Sequence, residues 1–115
     1  MPCYNEEKSL EQCIRSCLNQ TRKFDQMIFV DDASNDQTPH ILAKYYRQIK
    51  AVRTPHNTGN KSSAQEFGLA YITGDIFVTT DADTILDPNF AKEIEKSLQS
   101  ENVVAVAGYG GYPFL

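Results

Sequence analysis

Two short apolar runs that each end in acid constrain this chain most. Met27-Ile28-Phe29-Val30 leads into Asp31-Asp32, and Ile76-Phe77-Val78-Thr79-Thr80 leads into Asp81-Ala82-Asp83. Runs of four or five apolar and β-branched residues without alternation read as strands covered on both faces, as parallel strands are. The segments around them have helical spacing. Glu7 to Gln20 places Leu10, Cys13, Ile14, Cys17 and Leu18 on one stripe. Thr38-Pro39 opens a second helix carrying Ile41, Leu42, Tyr45 and Tyr46. The Asn57-Thr58-Gly59-Asn60 turn leads into a third, with Ala64, Phe67, Gly68, Tyr71 and Ile72 on one face, stopped at Gly74-Asp75. Pro88 starts a fourth, with Ala91, Ile94 and Leu98 inward. Ala51-Val52-Arg53 is a weak strand and Val103 to Ala107 a further one, giving the order α-β-α-β-α-β-α-β. That order predicts an α/β fold, a mainly parallel sheet flanked by helices. Ligands of such sheets bind at the carboxyl ends of the strands, where both acidic clusters fall.

Composition narrows the function classes. The chain has 115 residues and a formal net charge of −4. An acidic balance disfavours nucleic acid as a partner, because binding a phosphate backbone needs a basic face. No apolar run approaches the roughly 20 residues of a membrane span, and the residues after Met1 have no signal-peptide pattern. Residues 1–58 carry a net +1 and residues 59–115 a net −5, which includes Asp75, Asp81, Asp83 and Asp87 with no basic residue among them. Either a cation compensates these charges or they form a solvated acidic face.

Cys3, Cys13 and Cys17 are odd in number, which argues against a disulfide framework. Cys13 and Cys17 share the helix stripe, so buried thiols are expected rather than a metal site. His40 and His56 have no partners at metal spacing, and Gly108-Tyr109-Gly110-Gly111 reads as a loose turn.

Asp81-Ala82-Asp83 is a poor acid/base pair but a good mount for Mg²⁺ or Mn²⁺, which accept one or two carboxylates and complete their shell from phosphates and water. The alternative for these residues is turn and cap chemistry ahead of Pro88. Asp31 and Asp32 can accept from a base imide or a ribose hydroxyl, or cap the following helix. Lys61 can approach phosphate or base, or be an exposed lysine after a turn.

Taken in order, the motifs resemble inverting family 2 glycosyltransferases of the GT-A fold, closest in flavour to membrane-associated bacterial polysaccharide synthases. The resemblance rests on Pro2-Cys3-Tyr4-Asn5-Glu6-Glu7, on Val30-Asp31-Asp32-Ala33-Ser34-Asn35-Asp36-Gln37-Thr38, on Asn57-Thr58-Gly59-Asn60-Lys61 with Ala64 and Gly68-Leu69, and on Thr80-Asp81-Ala82-Asp83-Thr84 with Asp87-Pro88. It implies that residues 1–115 are the nucleotide-sugar-binding portion of a GT-A, Rossmann-like domain. Met1 stands where the family's opening apolar strand ends, so a truncated first strand is expected.

Residue by residue, the resemblance implies that Tyr4 and Glu6 border base and ribose, and that Asp31 with Asp32 holds uracil or ribose. Lys61 approaches the nucleotide. Asp81 and Asp83 form the D-x-D, between ribose or sugar and a diphosphate-bound Mn²⁺ or Mg²⁺. Glu66 departs from the pattern, which more often has Asn there. The family's base is an Asp in a later motif outside these residues, so no catalytic residue is assigned. The implied parent reaction displaces UDP from a UDP-sugar by an acceptor hydroxyl, on a glycan or lipid-linked acceptor, with inversion. This places the parent in the cytoplasm or on the cytoplasmic face of a membrane. Rival readings are nucleotidyl transfer and a non-catalytic nucleotide-binding or self-associating remnant, pairing as a homo-oligomer through an exposed sheet edge.

Overall fold

The structure, a computed structural model, describes residues 1–74, 76–98, 107–109 and 112–114. Its first sheet is parallel throughout, in the order β1 (Pro2–Cys3), β2 (Ile28–Asp31), β3 (Lys50–Arg53). Pro2 lies opposite Val30, and Ile28 to Asp31 run opposite Lys50 to Arg53. Helices α1 (Leu10–Leu18), α2 (Thr38–Ala43), α3 (Lys61–Leu69) and α4 (Phe90–Leu98) complete this part. A two-stranded antiparallel pair, β4 (Ala107–Tyr109) and β5 (Tyr112–Phe114), follows. The expected α/β architecture with a mainly parallel sheet is what forms.

Strand alternation explains how β2 is covered. Phe29 joins the core with Leu10, Cys13, Ile14 and Cys17 of α1, together with Phe90 and Ile94 of α4. Val30 points the other way, beneath α3, whose Ala64 and Gly68 are buried. The three cysteines are free and buried, Cys13 and Cys17 on the α1 stripe as expected and Cys3 in β1. Burial pushes the Cys3 thiol up to about 12, so it packs as an uncharged group.

The structure differs from the sequence expectations at four places, one of them the third helix, which closes at Leu69 and leaves Tyr71 and Ile72 beyond it. Ile76 to Thr80 is not a strand, and Ile76 and Phe77 are exposed. A strand exists only against a ladder partner, and alongside Ile76 to Val78 lies a cavity of about 590 Å³ also lined by Met1, Ile28 and Val30. At the same place β1 begins at Pro2, and the Met1 ammonium donates to the Ile28 carbonyl at 2.8 Å. The second helix closes at Ala43, with Tyr45 and Tyr46 in turns beyond it. Gly108 and Tyr109, expected in a loose turn, belong to β4. Of the strand expected over Val103 to Ala107, all but Ala107 lies outside the described residues, as does Asp75.

Candidate functional site

At the carboxyl ends of β1 and β2 the chain leaves the sheet in two loops that are stitched together. The Asn5 N–H donates to Ser34 Oγ at 3.0 Å, and the Glu6 N–H to Thr38 Oγ1 at 2.9 Å. In return the Asn35 N–H donates to Asn5 Oδ1 and the Gln37 N–H to Glu7 Oε2, both at 3.0 Å. Asn5 and Ala33 take left-handed backbone conformations, with φ of 51° and 59°. Asn tolerates that region and Ala does not, so the Ala33 strain is carried by the bonds around it.

Asp31 and Asp32 are almost wholly buried, 2% and 5% exposed, and the protein itself engages both carboxylates. Asp31 accepts from the Ser34 N–H at 3.0 Å and from the Arg53 guanidinium, which also donates to the Ser34 carbonyl. Asp32 accepts from Thr54 Oγ1 at 2.9 Å, the Thr58 N–H at 3.0 Å and Thr58 Oγ1 at 2.8 Å. Asn57 Nδ2 donates to the Asp32 backbone carbonyl. Buried carboxylates need such partners. Here the partners shape the 54–60 loop, which turns at Gly59 (φ 85°) into α3. Asn60 caps that helix, accepting the Ser63 N–H at 2.8 Å.

The cap delivers Lys61 to the second acidic cluster. Its Nζ lies 2.7 Å from Asp81 Oδ1. The hydrogen bond to Asp81 raises the Lys61 pKa, burial opposes it, and the charges of Asp81, Asp83 and Glu6 add to the rise. The D-x-D is thus within electrostatic reach of the first motif. Asp83 and Tyr4 are exposed, Tyr4 by 46%, and Glu6 is half-buried beside Ser9, whose hydroxyl it accepts at 3.2 Å.

From the other side α1 anchors the chain beyond the D-x-D. Ser16 Oγ accepts the Leu86 N–H, while buried Gln20 donates to the Asp87 carbonyl and accepts the Ala91 N–H.

Lys61 and Asp81 therefore meet, with Asp83 and Glu6 near enough for their charge to act on the lysine, whereas Asp31 and Asp32 serve as anchors of the neighbouring loops. The sequence reading missed Arg53, Thr54 and Thr58 as their partners. Arg53 meets Asp31 through the β2–β3 register, which sets the two opposite each other and which local sequence does not encode.

Among the described residues no three His, Cys, Asp or Glu side chains gather as a closed metal cage. Two carboxylates on one short segment fit instead a hard divalent ion that takes its other ligands from phosphate and water. Among the described residues no helix is long and apolar enough to cross a membrane.

A parallel sheet whose strand ends carry these loops defines a GT-A arrangement. The family model described as "Glycosyl transferase family 2" matches residues 1–113, and the chain belongs to that family. It is 29% identical over 110 residues to the glycosyltransferase GlyG of Streptococcus pneumoniae, covering 94% of this chain and 36% of GlyG. To the hyaluronan synthase of Streptococcus pyogenes it is 32% identical over 118 residues, covering 95% of this chain and 28% of the synthase. Among solved structures it resembles Staphylococcus aureus TarS 1-349 in complex with UDP-GlcNAc, with a TM-score of 0.76 and 25% identity over 84% of this chain and 29% of TarS. It also resembles the mannosyltransferase PcManGT of Pyrobaculum calidifontis in complex with GDP-Man and Mn²⁺, with a TM-score of 0.80 and 27% identity over 89% of this chain and 32% of that one. The chain thus spans well under half the length of each of these relatives.

Proposed function

We propose that this chain is the donor-binding portion of a sugar transferase that moves a sugar from a UDP-sugar to an acceptor hydroxyl with inversion. The observation that carries the reading is the Lys61–Asp81 contact, which joins the third motif to the fourth within reach of Asp83 and Glu6. Relatives solved with UDP-GlcNAc and with GDP-Man and Mn²⁺ support it.

Tyr4 and Glu6 border the nucleoside. Asp31 and Asp32 hold the loops beside it and offer their remaining lone pairs to uracil or ribose. Asp81 and Asp83 hold Mn²⁺ or Mg²⁺, which when bound neutralises charge on the departing diphosphate. Lys61 adds a positive charge beside the same oxygens. No residue described here is assigned as the base that deprotonates the acceptor.

Calorimetric titration of UDP with and without Mn²⁺ tests the reading. Mn²⁺ should strengthen UDP binding about tenfold or more, an effect of the size expected for a metal that bridges carboxylate and phosphate. The Asp81→Ala/Asp83→Ala variant should lose that gain. Unchanged affinity in the double variant would refute the metal assignment.

A further inference from the structure

Lys61 is placed where a helix does not favour it. It is the first residue of α3, a nine-residue helix with no acidic side chain in its first turn. The positive end of a helix dipole repels a lysine there. What offsets this is the carboxylate set opposite: Asp81 at 2.7 Å, with Asp83 and Glu6 further off. The lysine and aspartate side chains are 57% and 35% exposed. Solvent screens such a pair, which makes it weak enough to exchange.

We propose that Lys61 is a placeholder cation that couples metal binding to diphosphate binding at this site. The inference rests on the donor-site reading above and adds to it a rule of co-occupancy. While the site is without ligand, Lys61 neutralises Asp81. A divalent ion arriving alone must displace the ammonium and then sits beside an unpaired positive charge, which disfavours it. A diphosphate arriving with the ion gives Lys61 a new anionic partner. Each ligand therefore raises the affinity for the other, by the same factor in both directions. Lys61 selects the metal–diphosphate pair over free metal.

The test measures Mn²⁺ binding from the electron paramagnetic resonance signal of the free ion. Wild type, Lys61→Met and Lys61→Arg are each titrated with and without UDP, and the Mn²⁺ that UDP binds in solution is subtracted. Lys61→Met should bind Mn²⁺ alone about two- to fivefold more tightly, the range for a half-exposed ion pair. The gain that UDP confers on Mn²⁺ binding should shrink by a similar factor, while Lys61→Arg keeps it. Lys61 is exposed, so these variants retain the fold, which circular dichroism checks. If Lys61→Met leaves either quantity unchanged while wild type shows Mn²⁺-dependent UDP binding, the placeholder is overturned and the donor site stands. If wild type shows no Mn²⁺-dependent UDP binding, the donor-site reading falls and takes the placeholder with it.

Discussion

Gly68 sits where α3 crosses β2, and a methyl group does not fit there. A Cβ at this position meets Val30 Cγ2 at 2.7 Å. Val30 is buried, and its β-branched side chain has few rotamers to retreat into. Two effects oppose each other in Gly68→Ala. Helix propensity favours alanine by about 1 kcal/mol, and overpacking costs about 1–3 kcal/mol. Val30 borders the cavity of about 590 Å³ and can give slightly toward it, so overpacking wins narrowly and the variant should lose about 1 kcal/mol in urea denaturation. In a Val30→Ala background the clash is gone, so the same substitution should become neutral or stabilising. A Gly68→Ala protein more stable than wild type would show that the helix has room to lift, contrary to this packing.

At the scale of elements, a single buried side chain fastens the end of α1 to the start of α4. Buried Gln20 follows α1, and its amide donates to the Ser16 carbonyl at 3.0 Å and to the Asp87 carbonyl at 2.8 Å while accepting the Ala91 N–H at 2.9 Å. Gln20→Met keeps the volume and takes the partner from the buried Ala91 N–H, while the Asp87 carbonyl keeps the Phe90 N–H. A buried unpaired group costs about 1–3 kcal/mol, so a loss of about that size is expected by urea denaturation. Thr21→Val, at an exposed neighbour that also bonds Pro88 and Asn89, should cost under about 1 kcal/mol. Equal losses in the two variants would deny Gln20 its special place.

None of this fastening is legible in the sequence, where Gln20 is only the last residue of an amphipathic stretch. What was legible has a periodic cause. The stripe of Leu10, Cys13, Ile14 and Cys17 and the run into Asp31 carry their own pattern, so α1 and β2 form where expected. Asp31-Asp32 was legible as a strand-end group for the same reason, whereas Asp81 to Asp83, expected to end a strand as well, follows a segment that forms none. Pairing carries no such pattern. Ile76 to Thr80 has strand composition yet stays unpaired, and Arg53 reaches Asp31 only through a register that local sequence does not encode.

At the scale of the whole molecule, the sheet and its cavity make one further demand. The pairing of β1 with β2 reaches back to Met1, whose ammonium and carbonyl bond Ile28 and Val30. Burial lowers the pKa of that ammonium, because the charge is held out of water. Just beyond it the cavity of about 590 Å³ is bounded by Ile28, Phe77, Val78 and Leu98. This volume is on the scale of a few apolar residues in extended form. A protein with Val-Ile-Val-Ile fused ahead of Met1 would replace the buried charge by an amide and continue the ladder along β2. Burying each such side chain contributes about 1.5–3 kcal/mol, against about 1–2 kcal/mol to order each residue's backbone. The fusion should therefore gain about 1–4 kcal/mol, read as a higher urea midpoint. It should also draw Ile76 to Val78 into strand pairing, read as slower amide hydrogen exchange there. A Gly-Ser-Gly-Ser fusion removes the same terminal charge without filling the cavity and should give little of either effect. Equal gains from the two fusions would assign the stabilisation to the lost charge alone. No gain from Val-Ile-Val-Ile would mean that the cavity is not shaped for a strand.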